Sequence, residues 1–202
     1  MSAIRNDRPI PARLLTPGAL LRSSELQARG VARAQLGRWV ADGRLLRVGR
    51  GIYALPEREV GEHEALAQAA KRVPRGIVCL LSALRVHNLT TQSPGDVWLG
   101  LPRTARAPQL DWPPLRLVWW SGAALTVGII ERELAGVLVR LTTPARTVAD
   151  CFKHRRLVGI DVAVEALKDY RSHRAGTLDE LREAATVCRV GRVMAPYLEV
   201  IL

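Results

Sequence analysis

The chain has 202 residues and a formal net charge of +11, with 48% hydrophobic and 24% charged residues. This composition belongs to a globular protein long enough to bury a core unaided, and it excludes collagen-like, disordered and disulfide-scaffold classes. Cys79, Cys151 and Cys188 stand far apart with no CxxC pair, so neither a disulfide framework nor a zinc site is encoded, and a reducing cytoplasmic compartment is expected.

The charge is uneven. The first 55 residues hold ten arginines against Asp7, Glu25 and Asp42, a net of +7, while the remainder carries only +4. Such asymmetry points to a polyanionic partner for the N-terminal part. An arginine-rich proteome explains why only Lys71, Lys153 and Lys168 are lysines, but it does not deplete the first quarter of acids.

Residues 1–10 read as a tail. They are charged and broken by Pro9, without the apolar run of a signal peptide. Pro11 and Pro17 confine any helix before residue 18 to a short one. Residues 19–21 form a brief apolar run compatible with a small strand. "RSSELQARG" then opens a helix, with Ser23 or Ser24 capping the free N–H groups of its first turn and Gly30 as its stop. "VARAQLGRWVADG" follows as a second helix ended by Gly43, with Ala32, Leu36, Trp39 and Val40 on one face. Two short helices joined through a glycine resemble a helix-turn-helix.

The opposite face of the second helix presents Ala34, Arg38 and Ala41, flanked by Gln35 and Gly37. An ordinary amphipathic helix is one reading. The other is a recognition helix: small residues around a guanidinium let it approach a groove floor, and Arg33 and Gln35 lie near the helix start, where base edges are touched. The segment that follows favours the second reading. "RLLRVGRGIYAL" is a hairpin with either a two-residue turn at Gly49-Arg50 or a three-residue loop through Gly51. The longer loop is preferred because it gathers Leu46, Val48, Ile52 and Ala54 on one apolar face, and register follows the buried face. Arg50 is then the tip, and Arg47 sits beside Tyr53. Arg44 lies at the hinge, clamping DNA or capping the preceding helix dipole.

A hairpin directly after a helix-turn-helix is a wing. Residues 11–55 are therefore expected to form a winged helix-turn-helix DNA-binding domain. Its candidate contacts are Ser23, Ser24, Arg33, Gln35, Arg38, Arg44, Arg47 and Arg50, with the serine hydroxyls on phosphate.

Pro56 and the acids Glu57, Glu59, Glu62 and Glu64 mark a boundary. Residues 56–202 predict a second α+β domain: a few-stranded antiparallel sheet followed by C-terminal helices. A helix is expected from Val60 to Arg72, then a strand or buried turn, then a helix from Ser82. "DVWLGL" and "LRLVWW" read as strands, and "LTVGIIEREL" and "VLVRLTT" as a hairpin joined by Ala135-Gly136. From Thr143 onward helices are expected, with Pro144 in a first turn and a "TLDE" capping box at Thr177 to Glu180. Adjacent Trp119 and Trp120 must point to opposite faces of their strand, so one is either an exposed partner surface or covered by a second layer.

Catalytic chemistry is sparse. His63, His87, His154 and His173 show no metal-ligand spacing, and no P-loop, GxSxG or HExxH occurs. Cys151 and His154 can share a helix face, but Cys151 lies in an apolar stripe with Val148 and Phe152, as a small buried thiol does. Arg146 and Asp150 read as a helix ion pair worth ~0.3–0.5 kcal/mol. No enzyme, metal or cofactor is expected, and no apolar run approaches the roughly 18 residues of a membrane helix.

"LRSSELQARGVARAQLGRWVADGRLLRVGRGIYALP" resembles the N-terminal winged helix of the AbiEi-type antitoxins of abortive-infection, type IV toxin–antitoxin systems. The likeness continues in "SALRVHNLT", in "LTTPARTVADCFKHRRLVGIDVAVEALKDY" and in "CRVGRVMAPYLEVIL". The resemblance implies a cytoplasmic prokaryotic antitoxin. Its winged helix would bind double-stranded DNA at inverted repeats upstream of its own operon and repress it. Its C-terminal domain would counter a nucleotidyltransferase-like toxin encoded next door, without a tight complex. The alternatives are a module that neutralises the toxin by binding it, and an enzyme acting on the toxin.

Overall fold

The structure, a computed structural model, describes residues 10–11, 19–58 and 60–201. Most of the expected tail and the segment bounded by Pro11 and Pro17 therefore lie outside the described residues.

The N-terminal unit consists of β1 (Leu21–Arg22), α1 (Ser23–Ala28), α2 (Arg33–Ala41), β2 (Leu46–Gly49) and β3 (Ile52–Ala54), the strands forming an antiparallel sheet in the order β1-β3-β2. Its own core is Leu21, Leu26, Val31, Leu36, Trp39 and Leu45. Leu36 and Trp39 are buried as their helical spacing predicts. Ala32 is instead the exposed residue preceding α2, and Val31 takes its place in the core.

The rest of the chain builds α3 (Glu64–Arg72), β4 (Ile77–Val78), α4 (Leu80–Val86), β5 (Val97–Pro102), β6 (Leu115–Trp120), a 3-10 turn (Gly122–Leu125), β7 (Ile129–Leu134) and β8 (Val137–Thr142). Helices α5 (Pro144–Lys153), α6 (Arg155–Val158), α7 (Ile160–Ser172), α8 (Leu178–Cys188) and α9 (Gly191–Ile201) follow. The class is α+β, as the sequence indicates. The five strands lie in the order β6-β5-β4-β8-β7. Pair β7–β8 is antiparallel as its hairpin predicts and β4–β5 is antiparallel too, but β4–β8 and β5–β6 are parallel, so the sheet is mixed rather than the antiparallel one expected. Helix α3 begins at Glu64 rather than Val60, and α4 at Leu80 rather than Ser82.

Alternation along the strands divides the side chains between two cores. Trp98, Val118 and Trp120 pack with α4, α5, α7, α8 and α9 on one side. Val97, Leu99, Leu101, Val139 and Leu141 pack on the other with Leu66, Ala67 and Ala69 of α3. Leu20, Ile52 and Ala54 join this second cluster, so the hairpin rests on the larger sheet's side of the molecule. Arg58 holds the connecting segment by pairing with Glu64 and donating to the Ala135 carbonyl at 3.3 Å.

The Arg146–Asp150 pair departs most from its sequence reading. Its side chains are 1% and 0% exposed. The Arg146 Nε donates to Asp150 Oδ2 at 3.0 Å, Nη1 to the Val127 carbonyl at 2.6 Å and Nη2 to the Ala124 carbonyl at 3.2 Å. Its guanidinium stands 5.2 Å from the Trp120 ring centroid. Cys188 donates to Asp150 Oδ1 at 3.1 Å. Four-residue spacing alone does not distinguish a solvated pair from this buried pin between α5, α8 and the 3-10 turn.

Candidate nucleic-acid interface

Helix α1 is capped otherwise than expected. Arg22, not a serine, precedes its first turn in an extended conformation, and the Arg22 N–H donates to Glu25 Oε2 at 3.1 Å. Ser23 and Ser24 are already helical, where a hydroxyl no longer reaches the free N–H groups ahead of it. The Ser23 N–H donates instead to the Gly51 carbonyl at 2.9 Å, joining the start of α1 to the hairpin tip. Ser24 is exposed and Ser23 half-buried. Glu25 also pairs with Lys71 of α3 at 3.0 Å, which ties α1 to the sheet-bearing part of the chain.

Helix α2 carries the face anticipated from its wheel. Arg33, Ala34, Gly37, Arg38 and Ala41 are exposed and Gln35 is half-buried. A Cβ built on Gly37 meets nothing within 4 Å, so the surface beside Arg38 is open at that point. Helix α2 ends through Gly43, which takes a positive φ of 69°, and the N–H groups of Arg44 and Leu45 both return to the Trp39 carbonyl at 2.8 and 3.0 Å. Arg44 therefore closes the helix with its backbone, and the residue is half-buried.

The hairpin pairs Leu46 with Ala54 and Arg47 with Tyr53, as the preferred register requires. Beyond Arg47 the expectation fails. Gly49, not Val48, faces Ile52, Val48 bulges, and the tip is the two residues Arg50 and Gly51, with Gly51 at φ +73°. The bulge turns the apolar face partly outward. Ile52 and Ala54 are buried at 1% exposure, Val48 is half-buried, and Leu46 is 46% exposed. Leu45, at the foot of the hairpin, is buried in the helix-turn-helix core. Arg47 and Arg50 are both exposed.

The same short unit thus carries Arg33, Gln35 and Arg38 on α2, Arg47 and Arg50 on the hairpin, and Ser23 against the tip. One further cation escaped the sequence reading. A Cβ on Gly49 would lie 3.4 Å from Gln68 Oε1 and 3.8 Å from Arg72 Nη1, so α3 passes beside the hairpin and delivers Arg72 to it. Arg72 is steadied by donating to the Trp112 carbonyl at 3.1 Å. The available signal was the pair of bases ending α3, but nothing local placed that end beside a hairpin some twenty residues earlier.

Cys151 is fully buried, and burial raises its thiol well above the usual range, away from the nucleophilic thiolate. His154 is the residue that follows the last turn of α5, and burial lowers its pKa. Among the described residues, no group of three His, Cys, Asp or Glu side chains is placed to hold a metal ion, and no helix is long and apolar enough to cross a membrane.

Residues 18–56 match a family model described as "Transcriptional regulator, AbiEi antitoxin". The match spans both helices and the hairpin, and the resemblance read from the sequence holds over that segment. The crystal structure of the Rv2827c protein from Mycobacterium tuberculosis is similar in fold, with a TM-score of 0.56 at 16% identity. The likeness covers 83% of this chain and 66% of that one. No curated protein matches the chain.

Proposed function

We propose that this chain, of the AbiEi antitoxin regulator type through residues 18–56, binds operator DNA through its winged helix-turn-helix and represses its own operon. The observation that carries this reading is a coincidence: the segment matched by the regulator family is the one that exposes a small-residue helix face around Arg38 and an arginine-tipped wing. In this reading α2 enters the major groove, with Arg33, Gln35 and Arg38 toward base edges. Arg47, Arg50 and Arg72 neutralise backbone phosphates, Arg44 supports the hinge, and Ser23 and Ser24 approach a phosphate at the start of α1.

Residues 11–55 are the DNA-binding unit in this proposal, and residues 56–202 carry the antitoxin role against a nucleotidyltransferase-like toxin. Inverted repeats upstream of the operon are the proposed target. The test has two parts. The full chain should retard its own upstream duplex in preference to a scrambled one, and its co-expression should relieve growth arrest by the toxin of the neighbouring gene. Loss of both effects would overturn the reading.

A second reading, neutralisation by direct binding, is favoured by one observation. Trp112 and Trp119 are 46% and 38% exposed while Trp120 is buried, so an aromatic surface is available on the sheet-bearing part. A toxin complex that survives purification and is lost in Trp119→Ala would support it.

A further inference from the structure

We propose that the cleft between the C-terminal ends of α5 and α8 binds a nucleoside polyphosphate. The cleft measures about 650 Å³, within the range of small-molecule sites. Lys153, Arg155 and Arg189 line it, and among the described residues no carboxylate does. Val187, Val190 and Val193 form an apolar part of its wall. A cationic half beside an apolar half fits a ligand with a phosphate chain at one end and a flat base at the other.

Basic residues also gather at helix C-termini merely to answer the helix dipole, and magnitudes decide between the two readings. Two helix ends contribute roughly −0.5 charge each. Three full positive charges exceed that by about two. Arg155 gives one N–H to the Phe152 carbonyl of α5 at 3.0 Å, while neither Lys153 nor Arg189 has an ion-pair partner among the described residues. Asp150, the buried acid that accepts from the cleft-lining Cys188, is already matched by Arg146. The first turn of α9 adds to the excess: Val190 precedes that helix and Val193 lies within its opening turn, so a helix N-terminus borders the same cleft.

The cleft is also separate from the proposed DNA surface. Cys188, Val190 and Val193 pack in the core on the helical side of the large sheet, whereas Ile52 and Ala54 of the wing pack in the core on its other side. A ligand here and DNA at the wing would occupy opposite sides of the sheet.

The test is equilibrium dialysis of the full chain with ATP, GTP, adenosine and inorganic triphosphate at low salt. ATP or GTP should bind at one per chain, adenosine should not bind, and triphosphate should bind more weakly than the nucleotides. Lys153→Gln with Arg189→Gln should weaken nucleotide binding at least tenfold while leaving DNA retardation and the melting temperature unchanged. Lys153→Arg with Arg189→Lys should retain binding and guard against a folding artefact. Absence of saturable binding, or binding unaffected by the neutralised pair, would overturn the site. Triphosphate binding as tightly as ATP would overturn the nucleotide assignment. Displacement of ATP by the upstream duplex, or its loss in Arg50→Ala, would make the binding part of the DNA surface instead.

Discussion

Replacing Arg146 by methionine tests whether the core on the helical side of the large sheet is pinned by a buried charge network. The substitution keeps a long apolar stem but removes three donors. It strands the Asp150 carboxylate with the Cys188 thiol as its remaining donor and leaves the Val127 and Ala124 carbonyls without theirs. At 1% and 0% exposure the pair is not screened by solvent, so the cost is that of an uncompensated buried charge, about 3–5 kcal/mol. An exposed helix pair would give only ~0.3–0.5 kcal/mol. Urea unfolding followed by fluorescence and circular dichroism separates the two, and for a chain of this size the larger loss lowers Tm by roughly 6–20 °C. Arg146→Met combined with Asp150→Leu should recover much of the loss, since a buried pair replaced by apolar groups is often neutral. A single-variant loss below about 1 kcal/mol, or a double variant worse than the single one, would refute the network.

Three other outcomes are expected. Gly51→Ala forces a side chain into the left-handed region at the wing tip, with its Cβ 3.2 Å from Ser23 Oγ, and should cost about 1–2 kcal/mol in a urea melt. Gly100→Ala places a Cβ 2.5 Å from the buried Trp120 ring, and should cost about 1–3 kcal/mol with a shifted tryptophan emission. Stability should fall as pH rises from 9 to 12. Burial raises the Cys188 thiol from 9.0 to about 12, so above pH 9 the unfolded chain releases a proton that the folded one keeps. The loss is about 1 kcal/mol per pH unit for that thiol, and unfolding at pH 8 and pH 10.5 should show a smaller drop in Cys188→Ala.

Much of the site was legible because it depends on local periodicity. The wheel of α2 separated Leu36 and Trp39 from Ala34, Arg38 and Ala41, and the Arg47–Tyr53 pairing followed from alternation. The Thr177 capping box is formed as read, with the Thr177 N–H donating to Glu180 at 2.7 Å. What the residues did not reveal is set by packing between distant elements. The bulge at Val48 follows from the hairpin resting on α3 and the large sheet, which favours burying Ile52 and Ala54 over Leu46. The parallel pairings arise from long crossovers that alternation does not encode. Arg72 beside the wing, and Arg146 inside the core, likewise depend on contacts made across the chain.

The most direct test of the DNA-binding claim is a salt titration of affinity for the chain's own upstream duplex, comparing wild type with Arg38→Ala and Arg50→Ala. Wild type should prefer that duplex to a scrambled one. Arg50→Ala should weaken binding to both and flatten the salt slope by about one unit. Arg38→Ala should cost ~1–3 kcal/mol on the upstream duplex alone. Equal wild-type affinity for the two duplexes, with neither variant changing affinity or slope, would contradict the account.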